Sequence, residues 1–216
     1  MENLNHNKRE TMNILVACEY SGRVRDEFIK KGHNAISCDF LPSDVVGPHI
    51  QGDVLALLNN EWDMMIVFPP CTFLCSSGLH WNKNKKDPEK AALRTLETEK
   101  ALVFIEALLG ADIPKIALEN PVGCISTRIR KPDQKIQPWQ FGEDASKNTC
   151  LWLKGLPPLE PTKLIEPRIV GGAKRWANQT DTGQNKLPPS DDRWKKRSLT
   201  YLGIAEAMAT QWGSDL

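Results

Sequence analysis

Short apolar runs alternate with longer helical patterns through the first 120 residues of the chain. Asn13-Ile-Leu-Val-Ala-Cys18 is a compact apolar run, and the turn Glu19-Tyr-Ser-Gly22 follows it. A run of this kind reads as a strand buried on both faces, as in a parallel sheet. Val24 to Lys31 predicts a helix closed by Gly32, a residue that readily takes left-handed dihedrals. Asn34-Ala-Ile-Ser-Cys38 predicts a second strand ending at Asp39. Val54 to Asn60 predicts a short helix, and Trp62 to Phe68 a third strand stopped by Pro69-Pro70. Pro88 to Leu109 contains a long helix, with Ala92, Leu96, Val103 and Leu108 available for its core face. Lys115 to Leu118 predicts a fourth strand, ending at Glu119-Asn120-Pro121. Strands alternating with helices imply parallel pairing through right-handed crossovers, hence an α/β fold with a mainly parallel sheet and helices on both faces.

The pattern then changes. Residues 121–197 are rich in Pro, Gly, Trp and basic groups and show little clean periodicity. A hairpin is expected near Asn148 to Leu153, and Ser198 to Trp212 returns to helix with Ile204, Ala205, Met208 and Ala209 on one face. Irregular stretches of this length in a compact chain are usually functional or disordered, and Trp139, Trp152, Trp176 and Trp194 argue against disorder. We therefore expect a flexible polar segment over residues 1–12 and a single domain over 13–216, with an irregular insertion at 121–197 and a terminal helix at 198–212.

Charge adds a direction to this picture. The 216 residues carry a net charge of +1, which excludes a uniformly basic coat for nucleic acid. Residues 1–120 hold 13 basic and 17 acidic groups, whereas 121–216 hold 15 basic and 10 acidic, so an anionic polymer should meet the C-terminal part. No apolar run approaches the roughly 20 residues that span a bilayer, and Met1 to Thr11 has no apolar signal core. The expectation is a cytoplasmic protein without a membrane partner; the sequence leaves its oligomeric state open. Six cysteines without an export signal do not suggest a disulfide framework. Cys71 and Cys75 are four apart, but no second close Cys or His pair completes the four ligands of structural zinc, so no metal is expected.

In an open parallel sheet, ligands collect outside the carboxyl ends of the strands. Gly22 there allows close approach to the backbone, and the helix after it offers N–H groups. Asp39 is placed to accept ribose hydroxyls and Asp53 to meet an adenine amino group, although each also reads as an ordinary turn or helix cap. Pro69-Pro70 stiffens the chain just before Cys71, whose thiol is a candidate nucleophile. Glu119 ends a strand of the same sheet and should face the same crevice; it also reads as a cap or as a salt-bridge partner of Arg128 or Arg130. A thiol beside a carboxyl group can add to an electron-poor ring while the carboxyl holds or protonates it. Cys75 lacks the proline support and reads as packing.

In this order the residues resemble the cytosine carbon-5 DNA methyltransferase family, and more closely small phage-encoded proteins of that type. The matching segments are Cys18-Glu-Tyr-Ser-Gly22, Asp39, Gly52-Asp53-Val54, Pro69-Pro70-Cys71-Thr72, Glu119-Asn120-Pro121, Arg128-Ile-Arg-Lys-Pro-Asp-Gln134 and Leu202 to Ala209. The resemblance implies a Rossmann-like S-adenosylmethionine-dependent methyltransferase fold. It implies a cofactor site at Cys18, Glu19, Tyr20, Gly22, Asp39, Asp53, Val54 and Pro69. Cys71 would be the nucleophile and Glu119 the group holding the base, with Arg128 or Arg130 stabilising a polarised carbonyl or phosphate. The partner would be DNA with a flipped-out cytosine, on which Trp139, Trp152 or Trp176 could stack, and the compartment the host cytoplasm. Lys195, Lys196 and Arg197 would meet phosphate or solvent. Tyr20 stands at a position where the family commonly has glycine, Thr72 where it has glutamine, and Thr127-Arg128-Ile-Arg130 in place of its Gln-x-Arg-x-Arg segment. RNA or a free nucleotide as substrate, and a catalytically silent nucleic-acid-binding protein, are the competing readings.

Overall fold

A computed structural model describes residues 11–214. Strands β1 (Asn13–Ala17), β2 (Asn34–Asp39), β3 (His49–Gln51), β4 (Met64–Val67), β5 (Lys115–Pro121), β6 (Gln134–Ile136) and β7 (Thr149–Lys154) form one seven-stranded sheet. Its order is β3-β2-β1-β4-β5-β7-β6. The first five strands are parallel, and β7 returns antiparallel to both β5 and β6. This is the expected Rossmann-like α/β architecture. Ala17 is level with Cys38 and Val67, and Val67 with Leu118, so four strands finish along one edge. The candidate residues gather on that edge.

Both faces of the sheet are covered, which is why its central strands are apolar throughout. Ile14, Val16, Met64 and Ile66 face α1 (Arg23–Lys30) and α6 (Leu202–Trp212). Leu15, Ala17, Met65 and Val67 face α3 (Pro88–Leu109). The short helices are α2 (Ser76–Leu79), α4 (Ile125–Arg128) and α5 (Arg193–Ser198), and β8 (Arg168–Val170) pairs with β9 (Ala173–Arg175) in a separate hairpin. No described helix is long and apolar enough to cross a membrane.

Several expectations need correction. The core face of α3 is Ala91, Thr98, Leu102, Ile105 and Leu108; Leu96 is 51% and Val103 64% exposed, and Ala92 is exposed as well. That helix has apolar residues around most of its circumference, so its own pattern does not select the face the sheet covers. The terminal helix does not begin at Ser198. The chain is extended at Leu199, which separates α5 from α6, and the predicted face of α6 is buried as expected. The segment near Asn148 to Leu153 is a strand, but it joins the main sheet instead of closing a local hairpin. Val54–Leu57 is a 3-10 turn, shorter than the helix expected. The segment read as flexible, 1–12, lies outside the described residues except for Thr11 and Met12; Met12 packs against the α1–α6 core.

One buried charge was not anticipated. Arg25 is fully buried in α1, with Nε 2.7 Å from Asp26 Oδ1. Its other nitrogens donate to Ser37 Oγ at 3.1 Å, Ser43 Oγ at 3.2 Å and the Pro48 and Val46 carbonyls, both at 3.4 Å. Gly22 and Gly47, both at positive φ, make room for it: a Cβ on either would collide with the guanidinium. The loop between β2 and β3 is thus tied to α1 from beneath.

Candidate active site

The turn after β1 is tightly folded. Cys18 has φ 55°, alone among described non-glycine residues in that region, which suits a chain forced to reverse where β1 ends. Burial, helped by the charge of Asp39, pushes its thiol up. The Glu19 side chain points inward and is 5% exposed. It accepts from Ser21 Oγ at 3.0 Å, Val24 N at 2.8 Å and Arg25 N at 3.4 Å. The N-terminus of α1, expected to present N–H groups to a ligand, is therefore capped from within the chain. Gly22 approaches Arg25 and Val45 and leaves no space for a ligand. Tyr20 is buried, and its hydroxyl lies 2.9 Å from Ser198 Oγ and donates to Lys195 O at 3.1 Å. Arg23 donates to Thr200 O at 2.8 Å. Residues 195–200 thus strap the turn, leaving a cavity of about 40 Å³ lined by Cys18 to Ser21, Phe68 and Ser198 to Thr200.

Asp39 and Asp53 lie at neighbouring strand ends. Asp39 Oδ1 accepts from Leu41 N at 2.9 Å and Asp53 Oδ1 from Leu55 N at 3.0 Å, so both do act as caps, each with its second oxygen outside those bonds. Val54 is buried beneath them, while Phe40 is 73% and Leu55 40% exposed beside them. Two carboxylates flanked by exposed apolar side chains suit a nucleoside: hydroxyls and an amino group to bond, and a ring face to cover. An adenosine-like group fits this surface. A methionine-like group does not fit the 40 Å³ cavity while the strap is closed.

Cys71 and Glu119 are brought together. Pro69 is buried, and its carbonyl accepts from Asn120 Nδ2 at 2.9 Å, joining the Pro-Pro turn to the end of β5. Asn120 is 1% exposed and its Oδ1 is buried without a partner. Glu119 is close enough for its charge to oppose ionisation of Cys71.

The loop after Cys71 is anchored by α3 and α4. Arg94 donates to Thr72 O at 2.6 Å and Gly78 O at 3.2 Å, with its guanidinium carbon 4.9 Å above the Phe73 ring. Thr98 Oγ1 donates to Phe73 O at 3.0 Å. From the other side Cys124 N donates to Leu74 O, and Ser76 N to Val122 O, both at 2.9 Å. Gly123 lies flush against this loop, where a Cβ would run into Leu74 O and Cys75 Cα. Gly123→Ala is expected to cost roughly 1–3 kcal/mol by overpacking. The displaced atoms belong to the Cys71 loop, so Cys71 reactivity towards a thiol reagent should change in the still-folded variant. An unchanged Tm and alkylation rate would refute this packing argument.

Cys75 is not packing. Its Sγ lies 3.2 Å from Ser77 Oγ, and it is partly exposed beside the Cys71 thiol. Hydrogen bonding with Cys71 brings its pKa down to about 5, with the Ser77 hydroxyl and Gly78 N–H assisting. The same bond, together with burial, pushes the Cys71 thiol up. Lys147, just before β7, opposes that rise and is the nearby cation the sequence did not reveal.

The arginines expected in the site are engaged elsewhere. Arg128 makes a bidentate pair with Glu99 of α3 at 2.9 and 2.8 Å. Arg130 pairs with Asp133 at 2.7 Å and donates to Leu153 O at 2.9 Å. No bond joins either to Glu119 among the described residues. Trp152 is wholly buried and donates to Arg130 O at 2.8 Å, so it cannot stack on a base. Trp139 and Trp176 stack on each other with centroids 5.6 Å apart. Trp194 is 54% exposed, and Lys195 lies over the rings of Tyr20 and Trp194 at 5.5 and 5.9 Å. Lys196 pairs with Asp192.

No protein-family model matches the chain, and no curated protein matches it. Among solved structures it resembles a candidate DNA modification methyltransferase encoded within an E. coli prophage. The identity is 13%, the TM-score 0.44, and the likeness covers 72% of this chain and 52% of that one. The chain therefore spans about half the length of that protein. At this level of similarity the comparison bears on neither substrate nor chemistry.

Proposed function

We propose that the chain is an S-adenosylmethionine-dependent methyltransferase acting on carbon 5 of cytosine in DNA through a covalent Cys71 adduct. The observation that carries this reading is the placement of Cys71 beside Glu119 at adjacent parallel strand ends, locked together by the Asn120–Pro69 bond. Asp39 and Asp53 would hold the adenosine half of the cofactor, with Val54 beneath. The methionine half would enter only when the Ser198–Thr200 strap swings off Tyr20 and Arg23. When bound, the cofactor supplies an electrophilic methyl group.

The chain's own residues account for the rest. The Cys71 sulfur forms a bond to carbon 6, which makes carbon 5 electron-rich. Glu119 holds the exocyclic amino group and gives a proton to ring nitrogen 3 as the sulfur adds. After methylation the carbon-5 proton leaves to solvent, nitrogen 3 returns its proton to Glu119, and the sulfur–carbon bond breaks. Lys147 takes the place that Arg128 or Arg130 was expected to fill, as the cation nearest the thiol. A base in duplex DNA would have to be flipped out to reach this site. Trp194, Lys195 and the exposed basic residues of α5 are the side chains suited to meet the strand.

Mass spectrometry of nucleosides from host DNA and RNA, with and without expression of the chain, tests this reading directly. 5-Methylcytosine should rise in DNA. A rise confined to RNA, or none, would overturn DNA as the substrate. Asp39→Ala is expected to weaken S-adenosylmethionine about ten- to hundredfold, because a carboxylate accepting hydroxyl bonds contributes roughly 1.5–3 kcal/mol. Calorimetry on the folded variant checks it, and unchanged affinity would remove Asp39 from the site.

A further inference from the structure

We propose that Cys71 and Cys75 hold one proton between them, and that Cys75 takes this proton when the Cys71 sulfur attacks. What Cys71 attacks rests on the methyl-transfer reading above; the sharing of the proton does not. Leu74 N and Cys75 N both donate to Cys71 O, at 3.0 and 2.9 Å, so residues 71–75 close one helical turn. In such a turn side chains four apart lie on one face, with Cβ atoms about 5–6 Å apart. Two thiols at that separation can bond to each other, and the environment decides which one keeps the proton.

Here the environment is asymmetric. On its own loop Cys75 has the Ser77 hydroxyl and the Gly78 N–H, both suited to a thiolate. Cys71 faces Glu119 from β5, which disfavours a second negative charge, and Lys147 from the approach to β7, which offsets part of that. From α4, Cys124 faces Cys75 as a neutral thiol whose own ionisation is suppressed by burial, and the Arg128–Glu99 pair behind it is internally neutralised. From α3, Arg94 is occupied by the Thr72 and Gly78 carbonyls. The resting pair is thus a protonated Cys71 beside an ionised Cys75.

This arrangement avoids leaving a naked thiolate on the nucleophile beside Glu119. During addition, an electron pair on the Cys71 sulfur forms the bond to carbon 6 while its proton passes to the Cys75 sulfur. Nitrogen 3 receives its separate proton from Glu119. On elimination the bonding pair returns to Cys71 and the proton comes back from Cys75, so the pair is restored without an outside acid or base. Cys75 touches Cys71 and not the base, and is therefore a positioning residue.

Two measurements on the full chain test this. The first follows thiolate absorbance in the ultraviolet against pH, without substrate. The wild type should show one thiolate with a midpoint near 5, and Cys71→Ala, Cys75→Ala and Cys75→Ser should each lose it. Retention of that midpoint in both Cys75 variants, or in Cys71→Ala, would overturn the shared proton whether or not the chain methylates anything. The second is the pH profile of covalent trapping on DNA containing 5-fluorocytosine. In the wild type the rate should be nearly flat from pH 6 to 8. In Cys75→Ser it should fall about ten- to hundredfold at pH 7 and recover about tenfold per pH unit as Cys71 itself ionises. A uniform loss at every pH would mean a structural role only, and an adduct on Cys75 would reverse the assignment. Absence of any adduct in the wild type, with the low thiolate midpoint intact, would defeat the methyl-transfer reading and leave the shared proton standing.

Discussion

Cys71→Ser is expected to lower methyl transfer by at least about a thousandfold, on the scale of losing any covalent nucleophile. A serine hydroxyl at this position has no base to ionise it, because the neighbouring Cys75 thiolate is far too weak to take an alkoxide's proton. Sulfur is also the better nucleophile towards an electron-poor ring carbon. The cofactor affinity should stay within about twofold, since Asp39 and Asp53 share no bonding partner with Cys71 and distant sites act additively. DNA containing 5-fluorocytosine should trap the wild type and not the variant, because fluorine cannot leave carbon 5 as a proton does. The decisive comparison is the rate of methyl incorporation in the two proteins at saturating cofactor. A Cys71→Ser protein that methylates near the wild-type rate would end the covalent mechanism, whatever the quality of the resemblance.

The largest expected effect on stability belongs to Arg25→Leu. Leucine cannot satisfy the two hydroxyls and two carbonyls that now share one guanidinium, and the Asp26 carboxylate loses its buried partner. Breaking a buried pair by removing one member typically costs about 3–5 kcal/mol. Asp26 is 37% exposed and can regain water, which places this case at the lower end. The corresponding fall in Tm is on the order of 10 °C for a chain of this size. Arg25→Lys should recover only part of the loss, because an ammonium cannot span the same fork of acceptors. Thermal unfolding followed by circular dichroism measures both. A change under about 1 kcal/mol in Arg25→Leu would show that the β2–β3 loop does not depend on the guanidinium.

The parts of this fold that the sequence disclosed are those where one physical requirement dominates. β1, β2, β4 and β5 are apolar because both sheet faces are covered, and polar or turn-forming residues bound them. Cys71 and Glu119 followed from that, since parallel strands in register deliver their next residues to one edge. α3 was legible as a helix but not in its orientation: with Leu93, Leu96 and Val103 outward and Leu102, Ile105 and Leu108 inward, no single stripe is distinguished. β3 and β6 have three residues each and are strands only because a neighbour offers them a ladder. Lys147 reaches the site through the antiparallel return of β7, a long-range event with no local signature. Glu19, Gly22 and Arg25 were misread for a related reason. Polar residues at a strand end suit a ligand and an internal cap equally well, and only the packed structure shows that Glu19 faces inward. Cys75 needed one more fact: the loop after Cys71 closes a helical turn.

The packing of α6 also has a consequence for how the chain acquires its structure during synthesis. Ile204, Ala205, Met208 and Trp212 cover the side of the sheet formed by Ile14, Val16, Met64 and Ile66, so the first strand made is sealed by one of the last segments made. His33 Nε2 reaches Gly213 O at 2.9 Å and binds the two regions further. Until residues beyond 200 leave the ribosome, a nascent chain with β1 to β5 already paired still presents a wide apolar face to its surroundings. Contacts this distant in sequence form late, and the exposed intermediate is the species most open to aggregation or chaperone capture. Release of the C-terminal helix, rather than completion of the parallel sheet, is therefore the event that commits this protein to its native state.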